Sequence, residues 1–170
     1  MGLYKYLSSL QKKRTESYSK LIKERLIQWR KEPNIIRIDH PTDLLSARRL
    51  GYKAKHGFVL VRVRLPRGAH ERPTIRKGRR SAHMRQKLVL GISYQHVAEG
   101  RAAKNYSNLE VLNSYKVGKD GPHYWYEVIL VDPNHPEIKA DKNMKWISSN
   151  KHTGRVYRGL TSAAKKSRSK

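Results

Sequence analysis

The sequence predicts an α+β fold: a small sheet with helices packed on it, carrying long basic extensions. Three observations predict it. Apolar residues recur at helical spacing in Leu3 to Lys31 and Ser93 to Tyr106, and alternate or run continuously at strand lengths elsewhere. Basic charge, meanwhile, is concentrated in segments that lack a strong apolar pattern.

In the amino-terminal segment, Leu3, Leu7, Leu10, Tyr18, Leu21, Ile22, Leu26 and Trp29 form an apolar stripe. The pattern fits one long helix or two in succession, with a break near Arg14 to Ser17, where Thr15 or Ser17 could cap a second helix. Pro33 ends it. Leu3 to Glu32 holds nine Lys or Arg against Glu16, Glu24 and Glu32. Its polar face could lie along a phosphate backbone, although a solvated face fits equally well taken alone.

Ile35 to Ile38 reads as a short edge strand. Thr42 or Asp43 is placed to cap a short helix through Leu50, which Gly51 closes because glycine adopts the left-handed conformation freely. A bend to Gly57 delivers the chain into a strand from Phe58 to Leu65. There Val59, Val61, Val63 and Leu65 fall on one face and Arg62 and Arg64 on the other. One face wants a core, and the other wants anions.

Leu65 to Lys87 has no apolar period. Its 23 residues include Arg67, Arg72, Arg76, Lys77, Arg79, Arg80, Arg85 and Lys87, with Glu71 the one acid. A loop of that length is disordered, functional or ordered by a partner, and this composition suits the neutralising of phosphates.

Ser93 to Tyr106 places Tyr94, Val97, Ala98, Ala102 and Tyr106 along one side of a helix. Leu109, Val111, Asn113, Tyr115 and Val117 then alternate with Glu110, Leu112, Ser114 and Lys116, as in a strand, and Gly118 to Pro122 is its turn. Tyr124 to Val131 is apolar on both faces except at Glu127, which predicts the central strand.

The charge census relates these pieces. Leu88 to Ala140 holds five basic and six acidic residues, whereas Lys142 to Lys170 holds nine basic residues and no acid. Ser162 to Lys170 is too poor in apolar groups to fold alone. The expectation is therefore a single domain, 1–170, with a near-neutral core mainly in 34–65 and 88–140. Basic extensions occupy 1–31, 65–87 and 142–170.

Lys plus Arg number 38 against 13 Asp plus Glu, a formal charge of +25 on 170 residues. Such a chain repels itself until a polyanion neutralises it, and nucleic acid is the polyanion of choice. A membrane is disfavoured because no apolar run approaches the ~18 to 20 residues needed to span one. Neither a secretory signal nor a myristoylation pattern is present, since Tyr6 stands where the latter needs Ser or Thr. With no cysteine there is no disulfide or thiolate zinc site, as in a reducing compartment. No constellation of His, Ser and acid residues, no metal-ligand spacing and no phosphate-cradling Gly-rich loop suggests catalysis. No cofactor, metal or homo-oligomer is expected.

Bases stack on aromatic faces while Arg and Lys hold phosphates. Tyr4, Tyr6 and Tyr157 are the stacking candidates, with Tyr52 and Trp146 better suited to packing. Lys12, Lys13 and Arg14 in the amino-terminal segment, the arginine-rich loop, and Lys151 and Arg155 in the tail are candidate phosphate contacts.

Four pieces carry a resemblance: MGLYKY at the start, ARRLGYKAKHGFV from Ala47 to Val59, VLNSYKVG from Val111 to Gly118, and RGLTSA from Arg158 to Ala163. With EVILVDP from Glu127 to Pro133 they span nearly the whole chain. It resembles the L-fifteen-e family of archaeal and eukaryotic large-subunit ribosomal proteins. The resemblance implies a mostly antiparallel sheet, and basic extensions that thread among segments of large-subunit ribosomal RNA and touch neighbouring ribosomal proteins, in the cytoplasm. Carried over by position, Arg48, Arg49, Lys53 and Lys55 in the bend, and Arg158, Lys165, Lys166 and Arg168 in the tail, should contact RNA. His56 departs from the usual Gln, Gly100 from a usual acid, and Ala164 from a usual Gly. The sequence ends at Lys170, where eukaryotic members carry a further basic tail, so an archaeal source is expected. An architectural DNA-binding protein and an RNA-modifying enzyme are the rival readings.

Overall fold

A four-stranded sheet in the order β1–β2–β6–β5, antiparallel at every pairing, organises the chain. The strands are β1 (Ile35–Ile38), β2 (Phe58–Pro66), β5 (Glu110–Lys119) and β6 (His123–Val131). The computed structural model describes residues 2–13, 16–68, 70–71, 78, 87–88 and 91–168. The apolar run of β6 makes it central, between β2 and β5, and β1 is an edge strand as its length predicts.

The sheet buries both faces. On one, Val61, Val63, Leu65, Val111, Val128 and Leu130 pack beneath helix α4 (Tyr94–Asn105), which is capped at Ser93. Ala98 and Ala102 are fully buried there, and residues this small let α4 approach the strands closely. On the other face the covering changes along β6. Helix α2 (Glu16–Lys31) sets Leu26 and Trp29 on Trp125. Helix α3 (Leu44–Arg49) and the bend after it set Ala47 and Tyr52 on Ile129 and Leu60. Beyond them, helix α5 (Pro136–Ala140) and a 3-10 turn at Lys145–Ser148 bring Ile138 and Ile147 to Val131.

The amino-terminal segment forms two helices in succession, α1 (Leu3–Lys13) and α2. Ser17 lies inside α2, so it is not the cap, and Thr15 lies outside the described residues.

Three expectations need correction. The Leu109 to Val117 alternation does not hold one face: the register shifts between Val111 and Asn113 and again between Lys116 and Gly118. Each bulge adds a residue and reverses the alternation, so Leu109 and Val111 face α4 while Tyr115 and Val117 face the opposite side. The arginine face of β2 does not look to external anions. Arg62 is buried, with Nη2 2.5 Å from Glu32 Oε2 and its guanidinium 4.5 Å from the Trp29 ring centroid. Arg64 donates to Asn34 Oδ1 and to the Arg30 carbonyl. Lastly, the loop after β2 is closed at its base by a short ladder of β3 (His70–Glu71) and β4 (Lys87–Leu88).

The carboxy-terminal segment packs on the core as far as it is described. Met144, Ile147, Val156, Ala163 and Ala164 are buried, the last two on helix α6 (Ser162–Arg168). Glu110 of β5 accepts from the backbone N–H groups of Gly154 and Arg155 and so ties the segment to the sheet. Few apolar groups suffice because α6 leans on α4 and β5 and does not stand alone.

Candidate nucleic-acid interface

The bend after α3 is the most sharply defined basic feature. Asp43 caps the helix by accepting from the Ser46 N–H through Oδ1, fixing its start. Gly57, with φ +85°, lets the chain turn hard into β2, and its carbonyl accepts from the Asp132 N–H. A Cβ at Gly57 would stand 2.6 Å from Ile138 Cγ1, so the bend lies directly against α5.

Five predicted site residues, Tyr4, Arg48, Arg49, Lys53 and Lys55, meet at this bend. Tyr4, Arg48, Arg49 and Lys53 line one cavity of about 680 Å³, floored by Leu45 and Tyr52. The Tyr4 hydroxyl accepts from Arg48 Nη1, whose guanidinium lies 5.8 Å from the Tyr4 ring centroid. Arg49 is exposed and has no partner among the described residues. Lys53 and Lys55 both reach Asp141, at 2.8 and 2.7 Å, and their ammonium groups hold its carboxyl well below the usual carboxylate range. The Asp141 contacts fix the two lysines at the bend and offset part of their charge. Tyr52 is buried in the core, as a packing residue should be.

The tail supplies a second group. Arg158 donates to the carbonyls of Thr153 and Lys151. Arg168 donates to the carbonyls of Arg158 and Gly159, so the turn and α6 hold each other. A smaller cavity of about 200 Å³ is lined by Tyr157, Arg158 and Arg168 together with His96. Lys165 and Lys166 lie on the same helix, and Tyr157 is 68% exposed, available to a stacking partner.

Other predicted residues sit elsewhere. Arg67 is exposed, donates to the Asp120 and Gly121 carbonyls, and lies 5.0 Å from the Tyr124 ring centroid. Tyr6 is exposed on α1. Lys151 is exposed, while Arg155 is buried. Arg155 donates from Nε to the Val111 carbonyl and lies 4.7 Å from the Trp146 ring centroid, and burial pushes its pKa down. The Lys12 and Lys13 side chains, and Arg14, Arg72, Arg76, Lys77, Arg79, Arg80 and Arg85, lie outside the described residues.

Sequence reasoning missed the two buried carboxylates. Glu99 accepts from the Ser114 and Thr161 hydroxyls, and Glu127 from the Thr42 N–H, the Thr42 hydroxyl and the Tyr115 hydroxyl. Burial raises both pKa values, only partly offset by these donors. A raised carboxylate can mark an acid-base site, but these two are fully enclosed, so no substrate reaches them. They pin α4 to α6 and β6 to the start of α3. Among the described residues no cluster of His, Asp or Glu could hold a metal ion, and no helix is long and apolar enough to cross a membrane.

The candidate interface thus sets cations beside tyrosines at both cavities. A family described as Ribosomal L15 matches residues 2–170. The chain belongs to that family. The large ribosomal subunit protein eL15 of Methanocella arvoryzae is 49% identical over 167 residues, covering 97% of this chain and 85% of the relative. A Ribosomal L15 protein of this kind is a constituent of the large ribosomal subunit.

Proposed function

We propose that this L15-family protein is a constituent of the large ribosomal subunit that binds and stabilises large-subunit ribosomal RNA through its basic segments, without catalysing a reaction. The observation that carries the reading is the bend, where Arg48, Arg49 and Lys53 gather around Tyr4 with no acid among the cavity's lining residues. Cations neutralise phosphates where RNA segments crowd together, and each neutralised phosphate releases counterions, so affinity falls steeply with salt. Exposed aromatic faces add sequence-tolerant stacking.

The proposed contacts are the exposed and half-buried members of the predicted set: Tyr4, Arg48, Arg49, Lys53 and Lys55 at the bend, Tyr6 on α1, Arg67 on the β2 side, and Lys151, Tyr157, Arg158, Lys165, Lys166 and Arg168 at the tail. The loop from Arg72 to Arg85 and Lys12 to Arg14 join them on composition and charge. Neighbouring ribosomal proteins are the further partners, and the chain acts as one copy per cytoplasmic large subunit.

Competition binding tests the reading. Structured large-subunit ribosomal RNA should displace duplex DNA of equal phosphate content from the protein at matched salt. A preference for duplex DNA would contradict it.

A further inference from the structure

The cavity at the bend is concave, where a surface built only to follow a phosphate backbone would be flat. Its floor is apolar and rigid, because Leu45 and Tyr52 are buried in the core beneath it. Its rim carries Arg48, Arg49 and Lys53, and Tyr4 of α1 stands across from α3, its hydroxyl held by Arg48. At about 680 Å³ it falls in the range of ligand-sized cavities, roughly 300 to 1,000 Å³, and far exceeds what a lone phosphate requires. A paired base has its edge and both faces occupied and cannot enter such a hollow, whereas an extruded base brings two free faces and a free edge.

Resting on the ribosomal RNA reading, we propose that this cavity binds a single unpaired RNA nucleotide extruded from a helix, its base against Tyr4 and its phosphates on the arginine rim. Tyr4 offers aromatic surface to a base of any identity above the apolar floor, which makes the site selective for an unstacked nucleotide and tolerant of sequence. Arg49, for which no side-chain partner is seen among the described residues, and Arg48, which contacts the hydroxyl and ring of Tyr4, are placed to take the flanking phosphates. Three cations and no acid line the cavity, and although Asp141 offsets part of the Lys53 charge from outside it, a polyanionic occupant fits where an apolar protein segment would leave the arginines unmatched.

The test uses the full-length protein and two RNA hairpins that differ by one bulged nucleotide, 2-aminopurine, at matched salt. The bulged hairpin should bind about tenfold more tightly, with its 2-aminopurine emission quenched on binding. Tyr4→Ala should abolish both the preference and the quench while keeping the salt slope, and Leu3→Ala, at an exposed position of the same helix, should keep all three. Arg49→Ala should lower the salt slope by about one unit. Equal affinity for the two hairpins without quenching would overturn the nucleotide site and leave the RNA-binding reading standing. Failure to bind either hairpin would overturn both. Displacement of the bulged hairpin by hexaglutamate at equal charge would reassign the cavity to an acidic protein segment.

Discussion

Arg62 Nη2 of β2 lies 2.5 Å from Glu32 Oε2, just beyond the end of α2, and the same guanidinium covers Trp29. One side chain therefore joins the amino-terminal helix to the middle of the sheet through a partly buried ion pair and an aromatic contact.

Removing one partner of such a pair leaves a charge without compensation. Arg62→Ala should cost about 3 kcal/mol in urea denaturation. Because Arg62 points into the fold, the same variant should bind RNA with an unchanged salt slope.

Arg155 tests the same distinction in the tail. Its Nε donates 3.1 Å to the Val111 carbonyl and its guanidinium packs on Trp146. Arg155→Ala should lower stability by about 2 to 3 kcal/mol, and its RNA affinity, measured well below the unfolding midpoint, should change little.

Arg62 and Arg155 mark where sequence reading reached its limit. The period-2 pattern of β2 placed Arg62 correctly opposite the α4 face, but periodicity says only that a side chain leaves one core. It does not say that α2 folds back to make a second core over that face. The continuous apolar run of β6, the α4 stripe, the Asp43 cap and Gly51 were legible because each follows from local chemistry. The bulges in β5 were not, since each depends on pairing with β6. Glu99 and Glu127 read as ordinary polar residues until long-range partners, Thr161 and Thr42, are brought to them. At the candidate interface, the family resemblance pointed to the cations of the bend, while the cavity under Tyr4 depends on how α1 lies against α3.

The two buried glutamates should leave a signature in pH. Their folded pKa values are raised by burial above the ordinary 4.5, so the folded state binds protons more tightly than the unfolded chain. Their contribution is fully present below the unfolded value and is lost as pH rises from there through the folded pKa. In Glu127→Gln, urea midpoints measured from acid to neutral pH should fall less with rising pH than in the parent protein. Equal slopes would contradict the assignment.

Asp141 has the opposite sign and a functional consequence. Lys53 and Lys55 lower its pKa below the ordinary 3.8, so their mutual stabilisation holds above that value and is lost as pH falls through the folded pKa. Asp141→Asn removes a competing anion from two lysines proposed to meet RNA. RNA affinity at low salt should rise about two- to fivefold, as for an exposed ion pair, when measured by fluorescence anisotropy.

The close approach at Gly57 predicts a fold defect. Gly57→Ala combines a left-handed backbone with an approach to Ile138 that cannot be kept, and should cost about 2 to 3 kcal/mol by thermal or urea unfolding.

The salt dependence of binding to purified large-subunit ribosomal RNA tests the central claim most directly, compared between the parent chain and the Arg76→Ala, Arg79→Ala, Arg80→Ala triple variant. If the basic segments hold the RNA by its phosphates, the parent slope is steep and the variant's is shallower by about one unit for each phosphate left without its arginine. Identical slopes for the two proteins would contradict the account.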